Sequence, residues 1–193
     1  MIDGIDLEKL RRMMDDHRFR HTIGVLKTAE QMARCFHIDL DKARIAAVLH
    51  DCARNRSALE LLDLSAGFKL SVDFLERQVP DLLHGKVGAE IARREFGVQD
   101  EEILNAIRRH TLGDENMTTL DKVIFVADMI EPGRQFPGVD RLRELAAKNL
   151  DAAVLAGLNS TLNYVIAKNG IIHPKSIEAR NALILSGAGQ KTP

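Results

Sequence analysis

Ala43-Arg44-Ile45-Ala46-Ala47-Val48-Leu49-His50-Asp51 is the stretch on which the fold turns. Ala43, Ala46, Ala47 and His50 recur at steps of three and four, so they share one stripe of a helix, and nothing in the run alternates as a half-buried strand would. That stripe ends on an imidazole followed directly by a carboxylate. Polar groups on a core-facing stripe need a partner, because burying them unpaired is costly.

The pattern repeats on both sides. Upstream, Val25, Ala29, Met32, Ala33 and Phe36 form a stripe behind His21. Downstream, His84 leads Val87, Gly88 and Ile91, His110 continues Ile103 and Ile107, and Asp128 continues Leu120 and Ile124. His50 and Asp51, taken as consecutive residues of a helix over 41–52, point roughly 100° apart and reach neighbouring positions of one site. The sequence thus predicts six metal-capable side chains, His21, His50, Asp51, His84, His110 and Asp128, on five helical elements. One histidine on an apolar face is usually a core residue bonded to a carbonyl. Four histidines and two carboxylates on the buried stripes of successive helices call for cations, since burying so many polar groups costs several kcal/mol without them.

Composition supports an all-α class. Aromatics are 4% of 193 residues, tryptophan is absent, and helix-forming residues dominate. With 45% apolar residues the chain has material for one core, giving a single domain over 1–185 and a frayed tail over 186–193. Thr118-Thr119-Leu120-Asp121 reads as a capping box, Asp100 as the cap of a helix over 101–111, and Gly97, Gly113 and Gly170 as helix stops. Leu64-Ser65-Ala66-Gly67 reads as a helix break, and the prolines and glycines of Glu131 to Gly138 make that stretch a loop. Further helices are expected over 139–147, 151–169 and 175–185.

The formal net charge of −1 offers no global field for nucleic acid or an anionic membrane, and no basic patch supports RNA binding. Uninterrupted apolar runs of four or five residues are far short of the roughly 20 that span a bilayer. The opening residues resemble no secretory leader, and two cysteines, Cys35 and Cys52, make no disulfide framework. A soluble, cytoplasmic protein is expected, with apolar surface on 139–147 and 151–169 that leaves room for a homodimer.

Imidazole and carboxylate without thiolate suit iron, manganese, cobalt or catalytic zinc. Six ligands exceed the needs of one tetrahedral ion, so two ions sharing Asp51 are the economical arrangement, and a metal-activated hydroxide then serves as nucleophile for phosphoester or phosphoanhydride hydrolysis. Asp51, His84 and Arg134 are the expected catalytic groups. Arg134, on the Pro/Gly loop six residues after Asp128, can clamp phosphate bidentately. Arg54 and Lys86 follow ligands closely enough to turn towards the same cleft, whereas Arg108 and Arg109 read equally well as surface. His17 and His37 read as surface, and Cys52 as a small core filler.

His21, Leu49-His50-Asp51, His84-Gly85, His110-Thr111 and Ala127-Asp128, in that order, resemble the HD superfamily of metal-dependent phosphohydrolases. Within it, His84 to Ala89, Phe125 to Asp128, Glu131 to Val139 and His173 to Asn181 resemble the bacterial YqeK-type family of symmetrical dinucleoside tetraphosphatases, over roughly residues 17–183. The resemblance implies a helical HD-domain fold, a di-iron site and hydrolysis of diadenosine tetraphosphate to two ADP. It places His21, His50, Asp51 and Asp128 on one iron and Asp51, His84 and His110 on the other, with Thr111, Arg54, Lys86 and Arg134 towards the nucleotide. Two positions depart from the family pattern: Arg54 replaces a lysine, and Leu112 interrupts a Thr-Thr-Gly run. The other readings are an HD phosphohydrolase acting on a mononucleotide or cyclic dinucleotide, and a metal-stabilised nucleotide-binding regulatory module.

Overall fold

The alanines of the 43–47 stretch are all fully buried, and they let neighbouring helices approach closely. In the computed structural model, which describes residues 2–188, they lie on α3 (Leu40–Leu49). This helix packs between α2 (Asp16–Cys35), α7 (Glu101–Arg109) and α8 (Thr119–Ile130), while α6 (His84–Glu95) lies against α7. Val25, Ala29, Leu104, Ile107, Val123 and Ile124 complete the shared core. Three short elements flank it: α1 (Leu7–Arg11), α4 (Ala58–Gly67) and α5 (Phe74–Gln78), with a 3-10 turn over Pro80–Leu83. A second layer comprises α9 (Val139–Ala146), α10 (Leu150–Ala167) and α11 (Pro174–Leu185), with α10 seated on α8 and α9. Among the described residues there is no strand, only an isolated bridge between Ile2 and Ile5, so the all-α class stands.

Local signals account for the helix ends. Thr118 accepts the Asp121 amide while the Asp121 carboxylate accepts the Thr118 amide, and Asp100 caps α7 by accepting from Glu102. Gly97 and Gly113 stop their helices with φ of +72°.

Four expectations are corrected. α4 runs through Leu64-Ser65-Ala66 and stops only after Gly67, because its Ser57–Glu60 capping box and buried Leu61 and Ser65 carry the helix past that run. α3 ends at Leu49 and not at residue 52, so His50 is its C-cap and Asp51 lies in the following turn. The outward face of α9 is Asp140, Arg141 and Glu144, so the exposed apolar side chains lie on α10 (Tyr164, Ile166) and α11 (Ile177, Ile184, Leu185). At the C-terminus, the Ala188 amide donates to Leu183 O at 2.9 Å and closes α11, so residues 186–188 are a hydrogen-bonded cap; residues 189–193 of the expected tail lie outside the described ones.

α10 has the length and mean hydropathy (1.2) of a membrane-crossing helix, yet Asp151, Asn159 and Asn163 interrupt it. Its buried stripe of Leu150, Ala153, Val154, Gly157 and Leu158 faces the other helices.

Candidate metal centre

His50, His84 and His110 are positioned by one local rule. Each stands where a helical turn ends, and each donates its Nδ1–H to the carbonyl three residues earlier: His50 to Ala47 at 2.7 Å, His110 to Ile107 at 2.8 Å, and His84 to Asp81. The last carbonyls of a helix have no intrahelical amide to accept, so a histidine at that place finds a free acceptor in its own turn. The bond fixes the proton on Nδ1 and leaves the Nε2 lone pair facing inward, the tautomer a metal requires. Gly85 lets α6 and α7 meet: a Cβ there would lie 2.9 Å from Arg108 O. The result is His84 Nε2 and His110 Nε2 at 3.1 Å from each other.

Asp51 stands between two sets of imidazoles. Its Oδ1 lies 3.5 Å from His84 Nε2 and 3.4 Å from His110 Nε2, and its Oδ2 lies 3.4 Å from His50 Nε2 and 3.8 Å from His21 Nε2. Asp128, inside α8, brings Oδ1 to 2.9 Å from His21 Nε2. Nitrogen and oxygen ligands at about 2.1 Å from a common ion sit about 3 to 4 Å from one another, the separation seen here. His21 Nε2 and His50 Nε2 are buried without any hydrogen-bond partner, aimed at the carboxylates. Four imidazoles with Nε2 turned inward and two buried carboxylates fit a divalent cation.

The electrostatics differ between the imidazoles: at His50 burial is outweighed by the adjacent Asp51 and by Asp128, which raise its pKa. Burial, helped by the neighbouring His110, holds the His84 imidazole down at about 4, so it is neutral at pH 7 and free to ligate. Burial opposes ionisation of Asp51, but His50 and His110 outweigh it and keep the carboxyl well below its ordinary range. Asp128 behaves likewise, with its close contact to His21 and the neighbouring His50 and Arg134 overcoming its burial.

Around this centre the predicted residues divide. Arg134 donates from Nε to Asp128 O at 2.7 Å and from Nη2 to Asp128 Oδ1. Thr111 Oγ1 lies 3.0 Å from His84 Nε2 and 3.1 Å from His110 Nε2. Arg54 stands at the rim, paired with Asp81 at 3.1 Å. The expectation that Lys86 turns towards the cleft is corrected: its ammonium sits on buried Glu76 at 2.6 Å and on Ser71 O, because that buried carboxylate otherwise has only the Asp73 amide to offset its charge. Arg108 pairs with Glu101, and Arg109 with the buried Asp121, so neither reaches the histidines. His173 closes a separate latch, Nε2 to Asp73 Oδ2 at 2.9 Å, beside the Glu76–Lys86 pair. Cys52 is a core filler, fully buried, its thiol donating to Gly88 O.

Two contributors, Arg18 and Glu131, were not singled out from the sequence. Arg18 reaches Asp51 Oδ2 at 2.6 Å from one turn before His21, a spacing that puts both on one face of α2. His17 is exposed, as read from the sequence, and stands on the rim of the cleft. Glu131 accepts from His21 Nδ1 at 3.1 Å, a contact that no local pattern announces. The cleft itself, about 730 Å³, opens on His21 between α2 and the 131–136 loop and carries Arg18, Arg20, Lys27 and Arg134 alongside Ile23 and Phe136. Cations at a metal centre's mouth, with apolar surface beyond them, suit a polyphosphate carrying an aromatic base.

A helical HD arrangement with this centre defines a class, and sequence comparison states it: the HD domain profile matches residues 18–133, and the chain belongs to that family. Within it the chain is 42% identical over 175 residues to the symmetrical bis(5'-nucleosyl)-tetraphosphatase of Bacillus subtilis, covering 91% of this chain and 94% of that protein. It is 34% identical to the enzyme of the same name from Staphylococcus aureus, covering 92% and 94%. These relatives place it among the symmetrical tetraphosphatases of the HD superfamily. A crystal structure from Clostridium acetobutylicum, described as a predicted HD superfamily hydrolase involved in NAD metabolism, shares the fold with a TM-score of 0.91 at 37% identity, covering 94% of this chain and 98% of that one.

Proposed function

We propose that this chain hydrolyses dinucleoside tetraphosphates symmetrically, converting diadenosine tetraphosphate and water into two ADP, at a centre that holds two metal ions, iron first among the candidates. The observation that carries the reading is Asp51: its two oxygens face two separate groups of imidazoles, as a shared ligand of two ions must. His21, His50 and Asp128 would complete one position and His84 and His110 the other. When bound, such ions polarise phosphoryl oxygens and lower the pKa of water.

The chain's own residues supply the rest. Arg18, Arg20, Lys27 and Arg134 line the cleft and offset the charge of a tetraphosphate, and the planar guanidinium of Arg134 can hold two oxygens of one phosphate. Arg18 and Arg134 rest on the Asp51 and Asp128 carboxylates and are placed to exchange those contacts for phosphate once cations take the carboxylates. Thr111 offers a hydroxyl at the His84/His110 end. Ile23 and Phe136 give a nucleobase apolar contact. Cleavage at the middle anhydride leaves the water oxygen on one ADP and the bridging oxygen on the other, and releases two protons as both new terminal phosphates ionise. The two free thiols, Cys35 and Cys52, suit a cytoplasmic setting.

The test is to load purified protein with iron or manganese and analyse products from diadenosine tetraphosphate. ADP as sole product is expected. AMP with ATP, or no turnover with metal bound, would sink the reading, and parallel incubations with a mononucleotide and a cyclic dinucleotide expose a different substrate.

A further inference from the structure

His21 cannot use the rule that places the other three histidines. It lies in the second turn of α2, where backbone carbonyls are already committed to helix amides, so its Nδ1–H needs an acceptor from elsewhere. Glu131, 110 residues away, provides it: Oε1 lies 3.1 Å from His21 Nδ1, and Oε2 accepts the Gly133 amide at 2.6 Å. Glu131 is 5% exposed, and its carboxylate sits in a cradle made by two missing side chains. A Cβ on Gly24 would stand 2.4 Å from Oε2, and one on Gly133 would stand 2.8 Å from Oε1. The same loop turn carries Arg134, whose amide donates to Glu131 O at 2.9 Å and whose guanidinium lies on Asp128.

From this geometry we infer that Glu131 is the positioning residue of the centre. One oxygen holds His21 in the Nδ1–H tautomer, with Nε2 turned to Asp128 and Asp51, and the other seats the turn that presents Arg134. This rests on the metal-centre reading above and assigns to that centre a joint between a metal ligand and the phosphate clamp. Metal affinity and phosphate position are therefore set by one side chain that touches neither.

The experiment uses Glu131→Gln and Gly24→Ala. Glutamine keeps the shape of the side chain but has one acceptor oxygen for two donors. The Gly133 amide is fixed in the backbone, so the glutamine amide group turns to His21 and drives its proton to Nε2. Gly24→Ala leaves Glu131 chemically intact and displaces its carboxylate. Nitrogen-15 NMR of the imidazoles reads the tautomer, and titration with manganese reads affinity. We expect His21 to change from Nδ1–H to Nε2–H in E131Q while His50, His84 and His110 keep Nδ1–H, manganese affinity to fall about 10- to 100-fold in each variant, and the double variant to be no weaker than the weaker single one. A wild-type tautomer and wild-type manganese affinity in E131Q would overturn the inference, as would losses in the double variant that simply multiply. The tautomer is read on metal-free protein, so it tests Glu131 independently; a wild-type chain that binds no manganese strikes the metal-centre reading instead.

Discussion

The two ends of the centre are built differently. At one end His84 and His110 are held by carbonyls three residues back in their own turns, and the approach of α6 to α7 at Gly85 brings them together. At the other, His21 depends on Glu131, and Asp128 on Arg134, contacts that join α2 to the Pro/Gly loop after α8. The first end is made of helix endings. The second is made of tertiary contacts, and it is the end open to the cleft and its cations. Local construction uses neighbours in the same turn, while long-range construction ties His21 and Asp128 to the wall of the cleft.

Asp51 joins the ends, so Asp51→Asn should have the largest effect. An amide offers one oxygen, which can serve one end only, and ADP formation should fall by at least about a thousandfold, on the order of 4 kcal/mol, with reduced metal per chain. Full activity in a properly folded variant would show that the ends do not share this residue. Arg134→Lys tests the long-range end alone: a point charge cannot reproduce the two contacts on Asp128 or a bidentate grip on phosphate, and KM should rise about tenfold with little change in kcat. A lower kcat at constant KM would place Arg134 with the reacting atoms. Lys86→Met probes the back of the local end and should move activity least. KM should stay within about twofold, but the melting temperature should drop, since buried Glu76 loses its cation at a cost of about 1 to 3 kcal/mol. A large KM change there would return Lys86 to the cleft.

The same division explains what could be read from the chain. Helical stripes place His21, His50, His84, His110 and Asp128 on faces directed at one core, and the structure brings these side chains and Asp51 together, because periodicity and burial are properties of short segments. Capping residues at Thr118 and Asp100 were legible for the same reason. The exact end of α3 was not: Ala43 to Leu49 reads equally well as the start of a longer helix, and only tertiary packing stops it before His50. Lys86 and Arg18 show the limit for cations. Both lie two or three residues from a ligand, yet Lys86 is claimed by Glu76 from α5 and Arg18 by Asp51, and spacing alone ranks them the wrong way round. Glu131 was hidden because its value comes from the space left by Gly24, more than a hundred residues earlier.

The span between His21 and Glu131 also orders events during synthesis. The proposed ligands arrive along the chain as His21, His50, Asp51, His84 and His110, then Asp128, and the Glu131 that meets His21 comes after all of them. A nascent chain shorter than about 130 residues holds a half-built pocket, and metal binding that depends on the folded site has to wait for α8 and its loop to leave the ribosome and dock. A truncated product that ends before the loop carries the histidines without the carboxylate that meets His21 Nδ1.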